Sequence, residues 1–184
     1  MYEQFKSTAE GIGAEVHRFK TDTETLEFIL TFLNEEGVAD TPHSYAVWAD
    51  GPFLTDKNKK VFLQRINGLK FDVTRQAAAD SRIGISDMSW ALVDTGSLVA
   101  DQTAIEQRLV STLPAVHIAI VPTNNILPGK AELFTHITPQ QARYIAFISG
   151  PSRTADIERV LTIGVHGPKR LIIVFVDAYK GGAQ

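Results

Sequence analysis

Two apolar runs, residues 116–121 and 171–176, constrain this chain more than any other feature. Each is only strand length, and His117 is the one polar interruption in either, so both read as strands buried on both faces. Strands of that kind belong to sheets covered by helices on both sides. The preceding sequence alternates to match. Residues 1–13 have Phe5, Ala9 and Ile12 at helical spacing before Gly11 and Gly13. A strand is expected over 14–19, followed by a helix capped by Asp22 or Thr23, with Leu26, Ile29, Leu30 and Leu33 as its buried stripe up to Gly37. Next come a strand over 45–48, an Asp50-Gly-Pro turn, a helix over 57–67 and a strand over 69–74. Helix and strand in turn indicate an α/β fold with a mostly parallel sheet.

The middle of the chain departs from this alternation. From Ile83 to Val99 short apolar stretches are joined by Gly, Asp and Ser, which predicts an antiparallel excursion or hairpin with Asp94-Thr-Gly-Ser as its tight turn. That turn is either an ordinary β-turn, in which Asp94 bonds its own backbone, or a binding loop that exposes hydroxyls beside Gly96. Residues 105–113 fit strand or helix. A helix is expected over 128–137.

A length of 184 residues fits a single domain, 1–184, in which 1–13 is an opening helical appendage. A net charge of −3 weighs against a broad nucleic-acid surface. The absence of cysteine rules out disulfides, thiol nucleophiles and thiolate-held clusters within the chain. No apolar run approaches the ~20 residues that span a bilayer, and the start lacks a signal core, so a cytoplasmic location is expected.

The segment with most chemical content is 144–177, read as strand, small-residue turn, short polar helix, Gly/Pro turn and strand. A helix start there would gather Ser149, Gly150, Ser152, Arg153 and Thr154, with free backbone N–H groups and a guanidinium fork suited to an anion. His166, between Gly164 and Gly167, is the candidate acid or base; His117 reads as a core or strand-end histidine. The five histidines show no metal-ligand spacing. Lys57, Lys59 and Lys60 read as a solvated helix face, with phosphate binding as the sharper alternative. Gly11-Ile-Gly13 lacks the third glycine of a dinucleotide fingerprint, and neither a P-loop nor a Gly-x-Ser-x-Gly elbow is present.

Four motifs occur in order: Asp94-Thr-Gly-Ser-Leu-Val, Leu113-Pro-Ala-Val-His-Ile-Ala-Ile-Val-Pro, Ile148-Ser-Gly-Pro-Ser-Arg-Thr-Ala-Asp-Ile-Glu and Gly164-Val-His-Gly-Pro. Together they resemble the LUD domain family, in its lactate-utilisation branch. Ser97 stands where that family is expected to carry Thr. The resemblance implies a three-layer α/β/α sandwich, similar to sugar-phosphate isomerases and coenzyme A transferases. It also implies an accessory role in oxidation of L-lactate to pyruvate, beside iron–sulfur partner proteins and with no cofactor in this chain. The ligand expected is a small carboxylate or phosphorylated compound, held by Thr95, Gly96, Ser97, Ser149, Gly150, Ser152, Arg153 and Thr154, with His166 in a catalytic position. The alternatives are a stand-alone transferase or isomerase-like enzyme, drawing on Asp94, Asp156 or Glu158, and a non-catalytic assembly subunit.

Overall fold

The computed structural model describes residues 1–138, 140–155 and 161–179. Its centre is a six-stranded sheet, every neighbouring pair of which is parallel. In chain order the strands are β1 (Glu15–Phe19), β2 (Tyr45–Trp48), β3 (Leu69–Lys70), β4 (Ser81–Asp87), β7 (Val116–Pro122) and β12 (Arg170–Val176), and in space they run β1-β12-β7-β4-β2-β3. The two apolar runs are the adjacent strands β7 and β12, buried as their composition predicts.

The side chains of these strands alternate between two cores, as a period of two requires. Ile118, Ile120, Ile172, Val174 and Trp48 meet α2 (Asp22–Glu35) and α3 (Lys57–Leu63) on one face. On the other, Ala119, Val121, Ile173 and Phe175 meet α1 (Tyr2–Gly11), whose Phe5 and Ala9 are fully buried. Further along that second face, Val47 and Ala49 pack with α4 (Arg75–Ala79) and α5 (Ile105–Thr112). The result is the three-layer α/β/α arrangement.

A four-stranded sheet in the order β8-β5-β6-β9 forms the excursion, from β5 (Trp90–Leu92), β6 (Ser97–Asp101), β8 (Ile126–Leu127) and β9 (Ile145–Ile148). The β5 and β6 strands pair antiparallel around the 94–97 turn. The helix α6 (Lys130–His136) follows β8, and β10 (Arg153–Ala155) pairs antiparallel with β11 (Leu161–Ile163).

Several local expectations are corrected. Thr21, rather than Asp22 or Thr23, caps α2: its hydroxyl accepts from Glu24 N–H while the Glu24 carboxylate reaches back to the Thr21 N–H, a reciprocal capping box. The strand expected over 69–74 ends at Lys70, because Thr74 caps α4 through the Ala77 N–H. Residues 81–87 belong to the parallel sheet, so the excursion starts only at Trp90. The 105–113 segment is a helix. Lys59 is not solvated: its side chain is 10% exposed and pairs with Asp22 at 2.7 Å.

Candidate functional site

The expected helix start at 149–154 is not a helix. Arg153, Thr154 and Ala155 form β10, so these residues are not the first turn of a helix; Asp156 and Glu158 lie outside the described residues. The strand β9 before it is only partly buried, with Phe147 41% exposed. The two candidate loops nevertheless meet. The Ser97 and Ser149 hydroxyls hydrogen-bond at 2.6 Å, fixing the 94–97 turn against the start of the 149–154 loop. Thr95 donates its hydroxyl to Asp94, an arrangement internal to the turn.

The two glycines of these loops have packing reasons. A β-carbon on Gly96 would stand 2.8 Å from the Ala9 backbone, and one on Gly150 would stand 2.7 Å from the Ile12 carbonyl. Both have positive φ, 63° and 68°. Arg153 also turns to this place: its Nη2 donates to the Ile12 carbonyl just past the end of α1, where free carbonyls and the helix dipole favour a cation. Ser152 ties to the loop of His166 instead, through its N–H to the Pro168 carbonyl at 2.8 Å and its carbonyl to the Gly164 N–H at 2.9 Å. Thr154 pairs with Thr162 across the β10/β11 ladder, and His166 is exposed. The structure therefore joins Ser97 to Ser149, and Ser152 to the His166 loop, around the end of α1.

A second locus lies where the parallel strands end. Chain from β2 leads outward to β3, whereas chain from β4 leads through the excursion toward β7, so the strand order reverses between β2 and β4. In open α/β sheets the crevice beyond the carboxyl ends of the strands at such a switch point is where ligands bind. Asp87 ends β4 there and lines a cavity of about 240 Å³ with Asp50, Gly51, Pro52, Gln107 and Tyr179 among its walls. Its Oδ1 accepts from the Tyr179 hydroxyl at 2.7 Å and from the Phe53 N–H at 3.2 Å. Its Oδ2 is buried with no partner among the described residues. Gly51 follows β2 with extended backbone, and any β-carbon there would overlap Asp87 Oδ2, so this glycine serves close approach rather than an unusual φ.

Burial pushes the Asp87 carboxyl up to about 6; the Tyr179 and Phe53 bonds and nearby Lys59 pull against it, while Asp50 adds to it. Burial, then Asp87 itself, raises the Tyr179 phenol, which stays a donor. A carboxyl that exchanges its proton near neutrality, at a crevice and with one oxygen unpaired, is equipped for proton transfer or for holding a donor. Leaving a buried acceptor unpaired costs on the order of 1–3 kcal/mol, so the site carries a stability burden. By contrast, a wider groove of about 470 Å³ beside β9 has its polar groups paired internally, Gln102 with Ser111 and Arg108 with the Gln102 and Thr103 carbonyls. His117 is a fully buried core histidine bonded to Ser86 at 2.8 Å, and burial lowers its pKa to about 3.

Sequence reasoning passed over Asp87, Gly51, Gln107 and Tyr179. A signal existed for the first two, because Ser86-Asp87 and Asp50-Gly51 each close an apolar strand. It becomes informative only once residues 81–87 are placed in the parallel sheet.

With this geometry in place, a family profile described as LUD domain matches residues 2–176. The chain belongs to the LUD domain family. A lactate utilization protein C from Halalkalibacterium halodurans is 34% identical over 169 residues, covering 86% of this chain and 72% of that protein. Lactate utilization protein C 1 from Bacillus mycoides is 38% identical over 113 residues, 58% of this chain and 47% of the relative. The protein of the same family name from Anoxybacillus flavithermus is 36% identical over 124 residues, 63% of this chain and 56% of its own length. This LUD domain thus spans about half the length of the latter two relatives. A crystal structure of a DUF162 family protein from Deinococcus radiodurans matches the fold over 95% of both chains, with a TM-score of 0.58 at 19% identity. Among the described residues of the LUD domain, no helix is long and apolar enough to cross a membrane.

Proposed function

We propose that this chain serves lactate utilisation as a subunit that binds a small anionic ligand, a carboxylate or a phosphorylated compound, beside iron–sulfur partner proteins. The family match, together with relatives that bear the name lactate utilization protein C, supports the role in lactate utilisation. Oxidation of a 2-hydroxy acid to a 2-oxo acid releases electrons, and a chain without cysteine offers no thiolates to hold a cluster that would accept them. The electron-accepting step therefore belongs to the partners, and this chain holds or positions an anion.

The surface assigned to the anion is the junction of the 94–97 turn and the 149–154 loop. The exposed Ser149 hydroxyl, held at 2.6 Å by that of buried Ser97, presents a fixed polar group. The exposed Arg153 guanidinium carries further N–H donors beyond the one given to Ile12, in a fork suited to a carboxylate or phosphate. His166, also exposed, is the proton donor of this surface.

Calorimetry with L-lactate, pyruvate and phosphate tests the assignment. Wild type is expected to bind at least one of them, and Arg153→Ala is expected to weaken that binding about tenfold to a hundredfold, the weight of a hydrogen bond to a charged group. Binding that Arg153→Ala leaves intact removes the arginine from the site.

A further inference from the structure

The cavity at the switch point supports an inference independent of the anion site. Two of its residues hold buried acceptors with no partner among the described residues, Asp87 through Oδ2 and Gln107 through Oε1. Neither group is free to turn away. Gln107 Nε2 donates to the Asp50 carbonyl at 2.7 Å, which fixes the amide and leaves its oxygen over. Tyr179 and Phe53 hold Asp87 by its other oxygen. Two stranded acceptors in one cavity are complementary to a molecule that donates hydrogen bonds at two points.

The charge of the lining narrows the class further. Asp87 and Asp101 contribute carboxylates, Asp50 adds one that is paired with Lys60, and among the described residues no Lys or Arg lines the cavity, so an anion meets like charge. Among the described residues no three His, Asp or Glu side chains gather as metal ligands would. Met88, Ala100 and Pro52 supply apolar wall for a carbon skeleton, and about 240 Å³ suits a compact molecule. We infer that this cavity binds a small, non-anionic ligand rich in donors, a primary ammonium or a compound with neighbouring hydroxyls, between Asp87 Oδ2 and Gln107 Oε1. Gly51 places no side chain against the buried, unpaired Asp87 oxygen.

The groups that face Asp87 set the pH behaviour of this site. Tyr179 and the Phe53 N–H donate to it, Lys59 stabilises its charge, and Asp50 opposes it; Asp101 is a further wall of the cavity. The carboxylate form prevails above about 6, so an ammonium ligand binds more tightly at about pH 7.5 than at about pH 5, each roughly one unit or more from that pKa.

Backbone amide NMR of the full chain, titrated separately with ethanolamine, glycerol and L-lactate, tests the inference. Ethanolamine or glycerol is expected to shift the amides of Gly51, Met88 and Ser89, whereas L-lactate leaves them in place. A response to ethanolamine alone assigns the ammonium class, and one to glycerol alone assigns the hydroxyl class. Asp87→Asn presents an amide N–H where the acceptor stood and should weaken binding about tenfold; Gln107→Leu should weaken it without touching Asp87. Silence with both probes, L-lactate binding in this cavity, or affinity unchanged in both variants would overturn it. The outcome is separate from that of Arg153→Ala, which lies at the other locus.

Discussion

Replacing Gly84 with alanine is expected to destabilise the protein by about 3 kcal/mol, the upper part of the usual range for overpacking. Gly84 lies in β4, and a β-carbon there would overlap the Val110 carbonyl of α5 and stand 3.0 Å from Pro114. The obstructing atom is helix backbone rather than the end of a flexible side chain, so relief requires α5 to move off the sheet. For a domain of this size the loss corresponds to a fall in Tm of roughly 6–12 °C. The same displacement reaches the switch-point cavity, because α5 carries Gln107 and the residue that precedes it in chain, Ala104, is another of its walls. Thermal denaturation is the check. A Gly84→Ala variant with wild-type Tm would show that α5 does not rest directly on β4.

Asp87→Asn is expected to act in the opposite direction at neutral pH. An unfolded aspartate holds its proton up to about 3.8, the folded one up to about 6. Between those values the native state binds more protons than the unfolded state, so the contribution of Asp87 to stability rises as pH falls through 6 and is lost above it. The penalty above pH 6 is up to roughly 3 kcal/mol, from the pKa difference at 1.36 kcal/mol per unit. Asparagine keeps an acceptor for Tyr179 and Phe53 and removes the buried charge, so the variant should be more stable than wild type at neutral pH.

His117 has the reverse sign. The unfolded imidazole takes a proton below about 6.5 and the folded one resists until about 3, so stability is lost as pH falls through that window. Asp177, held low by its Arg18 bond, also loses stability on acidification, as does Glu36, where burial works upward but the Arg82 and Arg170 bonds prevail. In wild type the Asp87 gain offsets part of these losses between pH 6 and 4. Asp87→Asn should therefore lose stability more steeply than wild type across that interval. Urea denaturation at a series of pH values checks both features, and parallel curves would contradict the buried charge at Asp87.

The central strands were legible because burial on both faces leaves no polar alternation: β7 and β12 stand out in sequence for the physical reason that makes them central. The helices α1 and α2 follow from apolar spacing, and their caps only in part, since Thr21 and Asp22 are equally suitable cap residues until Glu24 is seen to reach back. The β4 strand was hidden because Gly84, Ser86 and Asp87 break its apolar run, and those residues are there for contacts with α5, His117 and the cavity. The 149–154 loop misled because Ser, Arg and Thr fit a helix start as well as a strand, and antiparallel pairing with β11, the next strand in the chain, decides between them. Arg153 was read for its charge, while its place beside the α1 carbonyls follows from tertiary packing. Tyr179 gives no sequence signal for its bond to Asp87, which spans 92 residues.

The most direct measurement is a backbone amide shift map of the full chain with L-lactate, pyruvate and phosphate added in turn. The account predicts shifts gathered at Ser97, Ser149 and Arg153, with the amides of Gly51, Met88 and Ser89 unmoved. Shifts confined to Gly51, Met88 and Ser89, or no shifts with any of the three anions, would contradict it.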